Sequence, residues 1–129
     1  MKRNKIIIDT DPGHDDALAL MLLVKSDLFE IKAVTTVAGN TDIQQTTNNA
    51  RFLLDLLGED APIFSGAKKP LKRWLIKANV HGKTGLAGAD VRKKEKLNGL
   101  AVDKIIEIVR DNPGKVSLVV IGPETNIAE

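Results

Sequence analysis

The chain has 129 residues, 43% of them hydrophobic and 28% charged, with a net charge of +2, a single tryptophan and no cysteine. That length supports one compact domain burying roughly two-thirds of its unfolded surface, and a composition this ordinary excludes disorder and coiled coil. Without cysteine there is neither a disulfide framework nor a thiolate metal centre, which fits a reducing compartment, and a cytoplasmic location is expected.

The opening Met1-Lys2-Arg3-Asn4-Lys5 has the charge of a signal n-region, but aspartates interrupt the apolar run after three isoleucines. Lys5 to Asp9 reads instead as a short buried strand. Ala17 to Val24 reads as a helix buried nearly all round, with Asp15 or Asp16 near its amino-terminal cap. It is the longest apolar run and falls far short of the ~20 residues of a membrane span, so no membrane association is expected.

Glu30 to Val37 is rich in β-branched residues and ends at Ala38-Gly39-Asn40, a strand followed by a turn. From Asp42 to Leu57 the apolar positions Ala50, Leu53, Leu54 and Leu57 follow helical spacing, with Gly58 as the stop. Pro62 to Ser65 is a short third strand, and residues 66–98 then show little periodicity, the pattern of a long and mobile loop. Ala101 to Asp111 places Val102, Ile105, Ile106 and Val109 on one helical face and ends at Asn112-Pro113-Gly114. Val116 to Ile121 is a strand, apolar except for Ser117, followed by Gly122-Pro123-Glu124-Thr125-Asn126.

Strands alternating with helices, with no hairpin turn between them, specify a single α/β domain over residues 1–129: a Rossmann-like parallel sheet flanked by helices on both faces. Ligands of such sheets bind beyond the carboxyl ends of strands, near a switch in strand order. The segments expected there are Asp9 to Asp16, Asn40, and Gly122 to Asn126.

Charge is distributed unevenly. Ten of the nineteen Lys and Arg residues lie between Lys68 and Lys96, where Trp74 is the only aromatic. Nucleic-acid binding wants stacking groups within a basic patch, so no nucleic-acid partner is expected and the segment reads as a solvated surface.

At the other extreme, Asp9, Asp11, Asp15 and Asp16 fall within eight residues. Carboxylates this close repel one another, and gathering them where a strand ends calls for a cation or for chemistry that uses negative charge. A hard cation takes oxygen ligands, which Asp11, Asp16 and a backbone carbonyl could supply. The spacing is not that of an EF-hand, because His14 and Leu20 stand where that loop needs Gly and Glu. Zinc is disfavoured, with only His14 and His81 available. Asp9-Thr10-Asp11 after a strand also resembles the nucleophile motif of aspartyl-phosphate phosphohydrolases, but Gly13 stands where that pattern has Thr or Val, and Asp15-Asp16 goes unexplained.

The run Asp9-Thr10-Asp11-Pro12-Gly13-His14-Asp15-Asp16-Ala17 resembles the signature of the inosine-uridine nucleoside hydrolases, which cleave the N-glycosidic bond of ribonucleosides using bound Ca²⁺. Thr36-Val37-Ala38-Gly39-Asn40, His81-Gly82-Lys83-Thr84-Gly85-Leu86 and Gly122-Pro123-Glu124-Thr125-Asn126-Ile127-Ala128 are similar to further family segments in the same order. Glu124 departs from the apolar residue usual there. The resemblance implies that Asp11 is both a Ca²⁺ ligand and the general base toward the metal-bound water, with Asp16 and the Thr125 carbonyl as further ligands. It implies that Asp15 and Asn40 bind ribose, that His81 contacts the nucleobase, and that Asp9 orients the ligand loop from behind. A ribonucleoside is the implied partner, and residues 68–98 would close over it as a flap.

Each residue also has a plainer role open to it. Asp15 or Asp16 could cap the following helix, Asn40 could be a turn residue, Thr125 could be a cap, and His81 could sit at the surface. The resemblance covers only the amino-terminal part of the family, implying a truncated nucleoside hydrolase fold. Two functions are therefore carried forward: nucleoside hydrolysis, and a catalytically silent domain with weak cation or ribose binding. The last strand would be an exposed edge in such a fold, so a homo-oligomer or limited stability is expected.

Overall fold

The computed structural model describes residues 2–129. Eight elements follow one another: β1 (Asn4–Thr10), α1 (His14–Lys25), β2 (Phe29–Thr36), α2 (Ile43–Leu57), β3 (Ile63–Ser65), α3 (Ala101–Asp111), β4 (Val116–Val120) and α4 (Thr125–Ala128). The four strands form one parallel sheet in the order β3-β2-β1-β4, the α/β class expected from the alternation of elements. Connections run outward from β1 through β2 to β3 and then return to the other side of β1. The reversal leaves a crevice between the carboxyl ends of β1 and β4.

Register brings those ends level. Asp9 lies opposite Thr35 of β2 and Val120 of β4, and Thr10 opposite Thr36. The ladder continues beyond the strands: Val37 N–H donates to the Thr10 carbonyl at 3.2 Å and Ile121 N–H to the Asp9 carbonyl at 2.9 Å. The loops after β1, β2 and β4 therefore leave the sheet side by side.

The core lies mainly between the sheet and the pair α1 and α2. Ile6 and Ile8 of β1 meet Ala17 and Leu20 of α1, Leu53 of α2 and Leu86 of the long loop. Val34 and Ile63 meet Ala50 and Leu54 of α2. Helix α2 is bounded as its sequence indicates. Asp42 accepts from Gln45 N–H at 3.0 Å, and Gly58 terminates the helix at φ +67, a left-handed geometry that suits glycine.

One expectation about burial does not hold. Helix α1 begins at His14, and it is not buried nearly all round: Leu18 is 63% and Leu22 73% exposed, while Ala17 and Leu20 face the core. Strand β4, the last strand, forms the sheet edge expected of it, and apolar as it is, it is only partly buried along most of its length. On α3, Ile106 and Val109 of the apolar face are exposed. No helix among the described residues is long and apolar enough to cross a membrane.

Residues 66–98 contain no helix or strand, but they are tied down at several points. Glu95 is held by Gln44, Asn48 and Arg51 of α2, and Asn98 by Ser65. Leu86 is buried in the core. Leu71, Trp74, Ile76 and Val80 by contrast stand in solvent, with the Lys69 ammonium 5.5 Å from the Trp74 ring. The basic charge of the loop is concentrated around this exposed stretch and the surface after Asp90.

Candidate active site

Three chain segments meet beyond the carboxyl ends of β1, β2 and β4. The first carries the aspartates. Asp9, Asp11 and Asp16 are all buried, whereas Asp15 points outward. Gly13 is the N-cap of α1, so Asp15 and Asp16 lie in its first turn, and Asp16 Oδ2 accepts from Gly13 N–H at 3.3 Å. Asp16 thus does cap its helix, leaving its other oxygen for a second role.

Asn40, from the turn after β2, is fixed to Asp11 twice. Its backbone N–H donates to Asp11 Oδ2 at 2.7 Å, and its side-chain amide donates to the Asp11 carbonyl at 2.8 Å. Gly39 makes this approach possible, since a Cβ there would overlap the Asp11 carboxylate and reach Pro123. Gly122 lies against the Asp11 backbone N and Oδ1 in the same manner, bringing the segment after β4 to the cluster.

The electrostatics of the cluster are severe. Burial pushes the Asp11 carboxyl up from 3.8 to about 7; the Asn40 N–H opposes this and the negative charge of Asp16 adds to it. Burial likewise raises Asp16, with the Gly13 N–H opposing and Asp15 adding to the rise. Asp9 is also raised by burial, against hydrogen bonds from Asn126 and Thr35. Among the described residues, no Lys or Arg forms an ion pair with any of these three carboxyls. Buried anionic oxygens without a counter-charge suit a hard divalent cation.

The side-chain donor set is small: no group of three or more His, Asp or Glu side chains disposed to hold a metal occurs among the described residues. Asp11 and Asp16 supply two carboxylates, and a backbone carbonyl has to extend the set. Thr125 opens α4 and is buried, and its carbonyl accepts from Glu129 N–H at 3.2 Å. A carbonyl has a second lone pair, so that bond leaves it able to act as a ligand.

His81 is brought from the long loop to the edge of the cluster. Its Nε2 lies 3.4 Å from Asp15 Oδ1, and its Nδ1 lies 3.3 Å from His14 Nδ1. His14 Nε2 in turn donates to the Ala87 carbonyl at 3.0 Å. His81 is therefore a packed residue beside a proposed ribose ligand and not a free surface histidine.

Three contributors were not anticipated from the sequence. His14 seats His81, as just described. Asn49 of α2 donates to the carbonyls of Pro12 at 3.2 Å and Thr84 at 2.7 Å, joining the aspartate loop to the His81 loop. Asn126 bonds to Asp9, Thr36 and Ala67. A signal for Asn49 was present: two adjacent asparagines, Asn48 and Asn49, sit in mid-helix, where the residue is a poor former unless its amide has work elsewhere.

Fold and site together define an α/β protein with a cluster of buried carboxylates at the switch point of a parallel sheet. The chain belongs to the inosine-uridine preferring nucleoside hydrolase family, whose sequence model matches residues 6–129. It is 48% identical over 129 residues to an uncharacterised protein of Schizosaccharomyces pombe, covering 96% of this chain and 42% of that protein. It is 45% identical over 127 residues to the pyrimidine-specific ribonucleoside hydrolase RihA of Klebsiella pneumoniae, covering 95% of this chain and 41% of that enzyme. Among solved structures, a plant nucleoside hydrolase superposes with a TM-score of 0.88 at 36% identity, covering 98% of this chain and 42% of that one. A purine-preferring ribonucleoside hydrolase from Gardnerella vaginalis gives 0.86 at 30%, covering 96% and 42%. The chain thus spans about two-fifths of the length of the relatives it matches.

Proposed function

We propose that this chain carries the cation- and ribose-binding side of an N-ribohydrolase, which splits a ribonucleoside into ribose and free base. The observation that carries the reading is the buried Asp11–Asp16 pair with no cationic partner, held beside Asn40 at the sheet switch point. Asp11, Asp16 and the Thr125 carbonyl would hold Ca²⁺, the remaining positions of its six to eight oxygens coming from water, substrate or other protein groups. When bound, Ca²⁺ supplies positive charge that lowers both the carboxyl pKa values and that of a coordinated water.

Asp11 acts as the general base. Its Oδ2 is committed to the Asn40 N–H, so Oδ1 is the atom that takes the proton. The water oxygen would bond to the anomeric carbon as the C–N bond breaks, the electron pair of that bond would leave with the base, which takes a proton from solvent, and Asp11 would return the proton it accepted to solvent. Asp15, exposed beside His81, accepts from ribose hydroxyls, and Asn40 binds the sugar nearby; these contacts strengthen as positive charge grows on the ring. His81 faces the nucleobase from the loop, its ring seated by His14. The relatives include pyrimidine-specific and purine-preferring enzymes, so both base classes are candidate substrates.

A second reading, cation or ribose binding without turnover, is favoured by one observation: the described residues hold no metal-binding group of three acidic or histidine side chains. A ribose-release assay separates the two. The chain is incubated with inosine, adenosine, uridine and cytidine, with Ca²⁺ or with a chelator, alongside Asp11→Asn. Calcium-dependent release that Asp11→Asn abolishes establishes hydrolysis; nucleoside-induced or calcium-induced stabilisation without release establishes the silent reading.

A further inference from the structure

Next to Thr125 in the chain, and bonded to Asp9, is a buried side-chain amide to which the catalytic reading gives no task. Asn126 belongs to α4, a helix of four residues, which is too short to hold its own orientation. Its side chain is nevertheless fully committed. Nδ2 donates to Asp9 Oδ2 at 2.8 Å and to the Thr36 carbonyl at 3.0 Å, and Oδ1 accepts from Ala67 N–H at 2.8 Å. Both amide hydrogens and the amide oxygen are therefore used. The partners come from the end of β1, the end of β2 and the turn after β3, so one side chain ties α4 to three strands of the sheet. Gly66 closes the seat, since a Cβ there would overlap the Asn126 amide.

Asp9 is the deepest of these partners. It is fully buried, 117 residues from Asn126 in sequence, and the same oxygen also accepts from Thr35 Oγ1 at 2.5 Å. The geometry gives Asp9 an acceptor's task on the side of the sheet that faces α4.

We propose that Asn126 is a positioning residue for the cation site, anchored by Asp9, and that it aims the Thr125 carbonyl. This rests on the reading of Thr125 as a Ca²⁺ ligand. The carbonyl of Thr125 and the nitrogen of Asn126 share one planar peptide unit, so fixing Asn126 at its side chain fixes the direction of that carbonyl. Only an amide of this length offers two donors and an acceptor at this spot; Asp would lose both donors, and Ser would keep one hydroxyl. Asp9 serves through hydrogen-bond geometry and not as a ligand.

The test is a titration of the 129-residue chain with CaCl₂ by calorimetry, paired with urea unfolding in chelator to establish that each variant is folded. Loss of partners behind metal ligands weakens affinity about 10–100-fold, and Asn126→Ala is expected in that range. Asp9→Ala is expected to match it. Asp9→Asn keeps an oxygen to accept from Asn126 and Thr35 while removing the charge, and its affinity is expected to stay within about threefold of the parent. If Asn126→Ala does not fold, Asn126→Ser and the Asp9 pair make the same comparison. Equal Ca²⁺ affinity in the parent and the Asn126 variants overturns the proposal and leaves the cation reading standing. An Asp9→Asn variant as damaged as Asp9→Ala also overturns it, because Asp9 would then act through its charge. No binding by the parent up to about 10 mM, above the range of weak sites, sinks the cation reading and this proposal with it.

Discussion

Asp11→Asn is expected to stabilise the metal-free protein at neutral and alkaline pH, although it removes the proposed general base. Burial and the neighbouring Asp16 push the Asp11 carboxyl from 3.8 to about 7, so the folded state holds the proton more tightly than the unfolded chain does. The sign follows from linkage: Asp11 is neutral in both states below about pH 4, stability falls as pH rises from there to about 7, and the penalty is constant above. At about 1.4 kcal/mol per pKa unit the ionised side chain costs on the order of 4 kcal/mol, an upper figure because water and neighbouring dipoles relax around it. Asn is isosteric, keeps an oxygen for the Asn40 N–H and presents a donor toward Asp16, so a gain of about 1–3 kcal/mol is expected at pH 8. Urea unfolding of parent and variant in chelator, at pH 4, 6, 7 and 8, reads the difference directly; Asp9 cancels from it to first order, and the relief of Asp16 from the Asp11 charge adds to the gain. The gap is expected to open with rising pH and to close toward pH 4. Millimolar Ca²⁺ is expected to stabilise the parent more than the variant. A variant equally or less stable than the parent at pH 8, by an amount independent of pH, would refute the reasoning.

Three further outcomes test the packing. Leu20→Ala, at a fully buried α1 position, is expected to cost ~2–5 kcal/mol in urea unfolding, whereas Leu22→Ala, two residues on and exposed, stays within ~0.5 kcal/mol. Gly39→Ala drives a methyl into the Asp11 carboxylate and toward Pro123, and is expected to cost about 1–3 kcal/mol and to weaken Ca²⁺ binding in the same titration. Asp42→Ala removes the α2 cap and its ion pair with Lys77 at 2.9 Å, and is expected to cost ~1 kcal/mol by thermal melting. The Gln45 N–H and then Lys77 hold the Asp42 carboxyl below its usual range, so that cost is present above the unfolded pKa and disappears as pH falls through the folded one.

The order of elements was legible because each is bounded by local chemistry, such as Asp42 and Gly58 around α2 or Asn112-Pro113-Gly114 after α3. Burial was less so. The run Ala17 to Val24 has no polar residue to mark an outward face, so nothing in it separates Leu20 from Leu22. In β4 the apolar run itself is likewise silent, and the edge position was legible only from its being the last strand. Of the site, the aspartate cluster was visible as an electrostatic anomaly, and Asn40 came through the family resemblance; the structure joins Asn40 to Asp11 at two points. The amide clamps were not visible, since Asn126 and Asp9 are far apart in sequence and no local pattern encodes the contact. His14 lies inside the motif that drew attention to the aspartates, yet its contact with His81 depends on how the long loop folds back.

Proton release on calcium binding tests the cation site most directly. Calorimetric titration with CaCl₂ at pH 7, repeated in buffers of different ionisation enthalpy, counts the protons expelled when the ion binds. With the Asp11 carboxyl at about 7, Asp11 alone is expected to release roughly half a proton per ion at pH 7, with the raised Asp16 adding to it, and release is expected to fall as pH rises above 7; Asp16→Asn is expected to abolish binding. Calcium binding without proton release at pH 7, or binding that Asp16→Asn leaves unchanged, would contradict the assignment of Asp11 and Asp16 as its ligands.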